Sequence, residues 1–289
     1  MSEISNYQKR PPWLKVRAPT GENQHDLLHL LRDLKLHTVC EAANCPNRGE
    51  CWEDRTATFL LLGEICTRGC RFCAIPKGKP EPLDEQEPAR IAEAVTYLKL
   101  KHVVLTSVNR DDLPDGGAHI FAESIRQIRA KLPSCTIEVL IPDFEGNWAA
   151  LEMVLEAGPT VLNHNIETVP RLFPRFRPKA SFERSLELLA RARALQPSIL
   201  TKSGMMVGAG ETNSEVLEVM DFLRQNDVDG ITIGQYLAPT KSHWPMERYV
   251  TPEEFDFFAK EGHKRGFRFV ESAPLVRSSY HAHAQITQL

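Results

Sequence analysis

The chain has 289 residues, of which 42% are hydrophobic, 25% charged and 8% aromatic, which are ordinary values for a water-soluble folded protein. With 35 Lys and Arg against 38 Asp and Glu, the net charge is −3, which argues against a protein that mainly binds nucleic acid phosphates. The sequence contains no apolar run of the roughly 18 residues that a membrane helix needs and no apolar secretory segment at its start, so a reducing soluble compartment such as the cytoplasm is expected.

Hydrophobic patterning predicts strands that alternate with helices along most of the chain. A short helix is predicted at 26–36 in a polar, irregular first part. The predicted strands are 59–62, 103–105, 136–141, 160–162, 200–207 and 230–236, with a possible seventh at 267–270. The predicted helices between and after them are 88–99, 120–131, 148–156, 182–194, 215–224 and 252–265.

Alternating strands and helices form parallel sheets through right-handed crossovers. Six such units predict an α/β fold, an incomplete (βα)6 TIM-type barrel with N-terminal and C-terminal extensions, rather than a closed eight-stranded barrel. An open doubly wound sheet is the alternative. In both folds the reactive groups are expected beyond the carboxyl ends of the strands.

The seven cysteines are unevenly distributed, because six of them lie between Cys40 and Cys73. Clustered cysteines in a reducing compartment indicate metal or redox chemistry rather than disulfides. Cys135 stands apart and is expected to be a small buried hydrophobic residue.

Cys66, Cys70 and Cys73 form a C-x3-C-x2-C motif directly after the first strand of the predicted barrel. Three thiolates on one tight loop can hold three corners of a 4Fe-4S cluster, which normally takes four cysteine ligands. The fourth iron is then open to another ligand. Zinc fits less well, because structural zinc sites usually supply paired cysteines and four protein ligands.

Cys40, Cys45 and Cys51 form a second motif, C-x4-C-x5-C, again without an obvious fourth ligand. A zinc site completed by a distant histidine is the alternative for this spacing. Two three-cysteine motifs in one chain nevertheless favour two iron–sulfur clusters.

The motif at 66–73 resembles that of the radical S-adenosylmethionine superfamily, and the chain as a whole resembles the lipoyl synthase family. The segments that carry this closer resemblance are 13–16, 40–51, 106–118, 163–168, 203–208, 210–212, 234–237 and 277–282. The resemblance implies that the open iron chelates S-adenosylmethionine, and that one electron cleaves it to methionine and a 5′-deoxyadenosyl radical. It also implies insertion of two sulfur atoms at C6 and C8 of a protein-bound octanoyl chain.

The same resemblance implies cofactors, partners and ligands. The cofactors are two 4Fe-4S clusters and S-adenosylmethionine, with an auxiliary cluster at Cys40, Cys45 and Cys51 that supplies the sulfur. The fourth ligand of that cluster is expected to be Ser279, with Ser278 as the alternative, although a C-terminal serine pair otherwise suggests a turn. The partners are an octanoylated lipoyl domain or glycine cleavage H protein and an electron donor such as ferredoxin or flavodoxin, with no nucleic acid and no membrane.

Three parts of the chain follow from these assignments. Residues 1–57 form an extension with the auxiliary cysteines, residues 58–266 form the partial barrel, and residues 267–289 supply the serine ligand. Two rival interpretations are another radical enzyme that inserts sulfur or transfers methylthio groups, and a zinc-stabilised binding module that is not an enzyme.

Polar residues at strand ends are candidate contacts of S-adenosylmethionine. Thr106 and Ser107 end the second predicted strand, and hydroxyl groups there are also common caps. Asn163, Asn165 and Glu167 recur at every second position, which on a strand places all three on one face. They are expected to line a polar pocket rather than a solvated edge.

Other segments have plainer interpretations. Asn109 stands where the resemblance leads us to expect aspartate, and Asp111, Asp112 and Asp115 are expected in a hydrogen-bonded turn rather than a metal loop. The glycine-rich segment 207–211 is expected to approach adenine. A basic stretch with Arg171, Arg175, Arg177 and Lys179 either steers an acidic carrier protein or is a solvated face. His281 and His283 are further candidate ligands, and His283 is the more plausible surface residue of the two.

Overall fold

The computed structural model describes residues 10–16, 22–43, 45–53, 58–280 and 282, and it contains an eight-stranded sheet in the order β1 to β8. The strands are β1 (His37–Thr38), β2 (Thr58–Leu61), β3 (His102–Ser107), β4 (Thr136–Leu140), β5 (Val161–Asn163), β6 (Leu200–Val207), β7 (Gly230–Gln235) and β8 (Phe269–Ser272). Only β1 pairs antiparallel with its neighbour, and every pair from β2 to β8 is parallel.

Helices lie before and between the strands along the chain. They are α1 (Glu22–Asp33), α2 (Val39–Ala42), α3 (Arg48–Glu53), α4 (Glu87–Tyr97), α5 (Ala118–Lys131), α6 (Trp148–Glu156), α7 (Phe173–Phe176), α8 (Phe182–Leu195), α9 (Asn213–Gln225) and α10 (Pro252–Lys264), with 3-10 turns at Pro12–Leu14 and Phe144–Gly146. The six units from β2–α4 to β7–α10 confirm the predicted incomplete barrel. The sheet is open, with β1 and β8 at its edges.

Local sequence explains where the later helices begin. Thr212 accepts a hydrogen bond from the Glu215 backbone while the Glu215 carboxylate accepts one from Thr212, and Thr251 and Glu254 form the same box at α10. The helix α9 begins at Asn213, two residues before the predicted start at 215, because its apolar pattern starts only inside the helix. No helix in the described ranges is long and apolar enough to cross a membrane.

The barrel interior has a charge-paired floor. Side chains alternate along a strand, so Glu138 faces the same side as Leu140, and Lys202 the same side as Met206. Leu140 and Met206 line the large cavity described below. Lys202 Nζ lies 3.1 Å from Glu138 Oε1, and each residue is only 1% exposed. Polar groups therefore close the barrel beneath that cavity.

Candidate active site

A cavity of about 570 Å³ lies at the carboxyl ends of the parallel strands. All six clustered cysteines line it, namely Cys40, Cys45, Cys51, Cys66, Cys70 and Cys73. The two motifs, separated along the chain, therefore face one shared cavity. The other predicted residues that line it are Thr106, Ser107, Asn165, Glu167, Ser278 and Ser279.

The loop after β2 carries the first motif and is held by backbone hydrogen bonds. Cys66 donates from its backbone N to Pro76 O at 2.9 Å, and Gly78 N donates to Cys66 O at 3.0 Å. Cys73 N donates to Cys70 O at 3.1 Å, which closes the turn between these two thiols. The backbone thus fixes the three cysteines before any ligand is considered.

Arg68 anchors this loop through two ion pairs. Its guanidinium lies 2.8 Å from Asp111 Oδ1 and 2.7 Å from Asp143 Oδ1, with Arg68 and Asp143 almost fully buried. Burial alone would raise the pKa of Asp143, but Arg68 and Arg184 outweigh it and hold the pKa at about 2. The buried Arg68 guanidinium is therefore paired with two charged carboxylates. The Asp111 carboxylate binds this guanidinium rather than a metal ion.

The other two aspartates of this segment also have internal partners. Asp112 pairs with Arg110 at 2.8 Å, and Asp115 accepts the backbone N–H groups of Gly117 and His119 at 3.0 and 2.9 Å. The segment is a hydrogen-bonded turn that leads into α5, as expected from the sequence.

Burial shapes the protonation of the thiols. It raises the pKa of Cys40 to about 11, that of Cys73 to about 12, and also that of Cys70. Buried thiols in these surroundings stay protonated until a cation displaces the proton, as iron does when it binds cysteine. The raised pKa values therefore argue against free thiolate nucleophiles at these three positions.

In the second motif, Cys40 lies on α2, Cys51 lies on α3 and Cys45 lies in the loop between them, and sequence patterning predicted neither short helix. Cys45 N donates to Cys40 O at 3.1 Å, and Cys51 N donates to Asn47 O at 2.9 Å. The buried Asn47 side chain also donates to Leu275 O at 2.7 Å. This bond ties the cysteine-bearing extension to the C-terminal segment.

The C-terminal segment brings Arg277, Ser278 and Ser279 to the cavity. Asn165 Nδ2 donates to Ser278 Oγ at 3.2 Å, whereas no hydrogen bond of the described residues involves the Ser279 side chain. Burial lowers the pKa of Arg277, while Cys45 and Glu167 oppose that shift. Arg277 thus lies near Cys45 of the second motif and near Glu167 of the cavity wall. His281 and His283 lie outside the described residues.

Several polar atoms at the cavity are buried without a hydrogen-bond partner in the described chain, including Ser107 Oγ and Asn165 Oδ1. Thr106 differs, because its hydroxyl donates to Leu140 O at 2.9 Å. Gly204 permits the close approach of Asn165, since a Cβ at Gly204 would lie 2.8 Å from Asn165 Oδ1. Ser107 and Asn165 therefore have hydrogen-bonding capacity for a polar ligand.

Glu167 is held in an unusual backbone conformation at the cavity wall. Its φ of 68° is in the left-handed region, which residues other than glycine rarely adopt. Bonds from Glu167 N to Gly204 O and from Met206 N to Glu167 O, each 2.9 Å, maintain it. Burial raises the pKa of Glu167, while Arg177 and Asn165 favour its charged form.

The expected one-face arrangement of Asn163, Asn165 and Glu167 is wrong. β5 ends at Asn163, so strand alternation does not continue to the other two residues. Asn163 is fully buried and donates to Glu138 Oε1 at 3.0 Å, which places it in the floor rather than among the cavity-lining residues. A three-residue strand was too short to support the pattern.

The basic stretch also does not form one surface. Arg177 is buried in the cavity wall, where its Nη1 donates to Asn165 O at 2.7 Å. Arg171 is exposed and pairs with Glu215 at 2.7 Å. Sequence reasoning missed the inward position of Arg177 and Arg68, because nothing in the local pattern distinguishes a buried arginine from an exposed one.

The glycine-rich segment has a different environment from the one expected. The backbone N–H groups of Gly208 and Ala209 donate to the Glu211 carboxylate, and Trp244 Nε1 donates to Ala209 O at 2.8 Å. None of residues 207–211 is among those that line the cavity. The N–H groups of Gly208 and Ala209 are therefore already hydrogen-bonded within the protein.

The donor set fits iron–sulfur clusters in its chemistry. Each motif offers three sulfur donors to the cavity, and soft thiolate ligands select iron–sulfur clusters, Zn or Cu(I). Among the described residues, no three His, Cys, Asp or Glu side chains are placed to hold a single metal ion. Ser107 and Asn165 add free polar atoms beside the first motif, as a bound S-adenosylmethionine would need.

Comparison with known proteins gives concordant matches. The sequence profile of the radical SAM superfamily matches residues 60–223, and that of the N-terminal domain of lipoyl synthase matches residues 2–45. The chain is 68% identical to a lipoyl synthase of Chloroflexus aggregans, over 99% of this chain and 93% of the relative. It is 68% identical to one of Roseiflexus sp. (98% and 94%) and 53% identical to one of Shouchella clausii (99% and 93%).

Solved structures share the fold at low sequence identity. SuiB of Streptococcus suis bound to its precursor peptide SuiA gives a TM-score of 0.60 at 10% identity, over 78% of this chain and 52% of that one. HydG, a maturase of the [FeFe]-hydrogenase, gives 0.57 at 14% identity, over 87% and 62%. This chain thus spans little more than half the length of either structure, and the likeness concerns the barrel fold.

Proposed function

The chain belongs to the lipoyl synthase family of the radical S-adenosylmethionine superfamily, and from this premise we propose how its two cysteine motifs divide the work of a sulfurtransferase. Membership implies S-adenosylmethionine, 4Fe-4S chemistry and an octanoylated lipoyl carrier as substrate. It also sets aside a zinc-binding module and other sulfur-inserting radical enzymes. The number of clusters and the roles of individual residues are our proposal.

The proposal is that Cys66, Cys70 and Cys73 hold one cluster and Cys40, Cys45 and Cys51 hold a second. When bound, the first supplies the electron that cleaves S-adenosylmethionine and the second supplies the sulfur for C6 and C8. The observation that carries this division is that both motifs face one cavity of about 570 Å³. A substrate chain in that cavity would lie between them.

The polar wall beside the first motif is proposed to orient S-adenosylmethionine. Ser107 and Asn165 offer unpaired polar atoms, and Glu167 offers a carboxylate. Arg177 holds the Asn165 carbonyl and so fixes the loop after β5. Thr106 has a supporting part, since its hydroxyl already donates to Leu140 O. Fixed polar groups of this kind position a substrate before reaction.

Ser279 is proposed as the fourth protein ligand of the second cluster. Ser278 Oγ accepts a hydrogen bond from Asn165, whereas the Ser279 side chain has no hydrogen bond among the described residues. Because a serine oxygen is a harder ligand than thiolate, its bond to iron is the weaker one. A weak corner suits a cluster that gives up its sulfur.

The remaining cavity wall suits an octanoyl chain. Apolar side chains from five separate segments contribute to it, namely Leu14, Val16, Val39, Phe72, Ile75, Leu237 and Leu275. Apolar walls bind a hydrocarbon chain by removing its surface from water. We assign the extension 1–57 and the segment 267–289 to the second cluster and substrate channel, and 58–266 to the barrel. An octanoylated lipoyl domain or H protein, and a ferredoxin or flavodoxin as electron donor, complete the proposed system.

The test is chemical analysis followed by an activity assay. Anaerobically reconstituted protein is expected to contain about eight iron and eight acid-labile sulfide per chain, that is, two clusters of four irons each. Cys70→Ala should abolish S-adenosylmethionine cleavage, whereas Cys45→Ala should retain cleavage but lose lipoyl formation on an octanoylated carrier. Zinc without iron, or about four iron in the intact protein, would contradict the division.

A further inference from the structure

We infer that Asn109 tunes the reduction potential of the cluster at Cys66, Cys70 and Cys73 by donating a side-chain hydrogen bond to the Cys66 sulfur. Asn109 Nδ2 lies 3.7 Å from Cys66 Sγ. This inference rests on the proposed cluster site. It concerns a residue that departs from the aspartate expected at this position.

The backbone holds Asn109 firmly beside the sulfur. Its own backbone N donates to Cys66 Sγ at 3.3 Å, and Arg68 N donates to the same sulfur at 3.4 Å. The Asn109 carbonyl accepts hydrogen bonds from Thr67 N and Thr67 Oγ1, both at 3.0 Å. Because these bonds involve the backbone, a change of the Asn109 side chain leaves them in place.

The three N–H donors converge on one sulfur atom, and only one of them belongs to a side chain. Reduction adds one electron, and therefore one negative charge, to a cluster and its thiolate ligands. Hydrogen bonds to the sulfurs stabilise that charge and raise the potential. An amide at position 109 can donate such a bond. An ionised carboxylate at the same place cannot, and its negative charge opposes reduction.

Asn109→Asp therefore makes reduction harder, and Asn109→Ala shifts the potential in the same direction by less. At a fixed applied potential, the ratio of reduced to oxidised cluster is expected to fall about tenfold in Asn109→Asp, a shift of about 59 mV for a one-electron couple.

The experiment is a redox titration of the full chain followed by electron paramagnetic resonance. Dithionite supplies the electron through mediator dyes, and the signal is the one that changes on addition of S-adenosylmethionine. The signal that does not change belongs to the second cluster and serves as an internal reference. Asn147→Asp is the matched control. Asn147 and Asn109 line the same groove, but the Asn147 side chain donates to Pro114 O and accepts from Ala150 N.

More negative potentials in both Asn109 variants, with an unshifted control, support the inference. Potentials equal to that of the unaltered protein overturn it while leaving the proposed function intact. An equal shift in Asn147→Asp also overturns it, because the effect would then be one of charge alone. If the unaltered chain takes up no cluster responsive to S-adenosylmethionine, the proposed function fails and this inference with it.

Discussion

Ser278 and Ser279 are adjacent hydroxyl residues with different surroundings, and they allow a matched comparison. Ser279→Ala is expected to lose iron from the second cluster and to reduce lipoyl formation at least tenfold, because a labile cluster loses one of its four protein ligands. Cleavage of S-adenosylmethionine without product should largely persist. The measurements are iron content, lipoyl product and 5′-deoxyadenosine.

Ser278→Ala is the control for this experiment. It removes only the hydroxyl that accepts from Asn165 at 3.2 Å, so the second cluster should keep its iron. Full lipoyl formation by Ser279→Ala together with iron loss in Ser278→Ala would reverse the ligand assignment.

Glu87 is a buried carboxylate that makes stability depend on pH. Burial raises its pKa from 4.5 to about 7, although the Leu62 backbone N–H, 2.9 Å away, favours the charged form. Between these two values the folded state binds more protons than the unfolded state, so stability falls as pH rises from 4.5 to 7. The expected loss is about 3 kcal/mol, complete above pH 7.

Glu87→Gln tests this effect. The amide oxygen can still accept the Leu62 N–H group, but the side chain no longer ionises. Urea unfolding of both proteins at pH 5, 6, 7 and 8 should show the variant gaining stability relative to the unaltered chain as pH rises. A difference that does not change with pH would show that the buried carboxylate does not govern this range.

The charge-paired floor beneath the active site joins two strands, because β4 contributes Glu138 and β6 contributes Lys202. Lys202→Met leaves the Glu138 carboxylate buried without its cation, and such a loss destabilises a protein by about 3–5 kcal/mol. The double variant Lys202→Met with Glu138→Gln removes both charges and should recover most of that loss. Denaturant unfolding measures both, and a double variant as unstable as the single one would contradict this account.

How well each element could be predicted follows from its length and its periodicity. The barrel strands and long helices were predicted because apolar residues recur with a clear period over six or more residues or over a continuous buried run. No such period marks the short helices α2, α3 and α7 or the two-residue β1. These elements depend on tertiary contacts instead, such as the hydrogen bond from Asn47, next to α3, to Leu275.

The same distinction holds at the active site. Cysteine spacing identified both motifs, since thiol ligands on one loop have a recognisable pattern. Sequence could not show that Asn163 ends its strand, that Arg177 points inward, or that Asn109 reaches the Cys66 sulfur. Each of these facts depends on where a strand stops or on contacts between distant segments, which local pattern does not encode.

At the scale of the whole molecule, a cationic patch near the first motif stands out on a chain whose net charge is −3. Arg71, in the cysteine loop, and Arg175, on α7, are exposed and lie 5.2 and 5.5 Å from the Trp244 ring. Neither forms a salt bridge within the described part of the chain. For an acidic carrier, these two arginines and the exposed Lys179 are the cations of the predicted basic stretch and its surroundings that are available to steer it.

Arg175→Glu is accordingly expected to lower kcat/KM for an octanoylated acidic carrier by about tenfold at low salt, because charge reversal slows electrostatically steered association. The deficit should shrink as ionic strength rises, since salt screens exposed charges. Arg126→Glu makes the same charge change on the exposed face of α5 and should have little effect. S-adenosylmethionine cleavage without carrier should be equal in all three proteins, because it needs no protein encounter. A deficit in Arg175→Glu that persists at high salt would mean that Arg175 acts through packing against Trp244 rather than through charge.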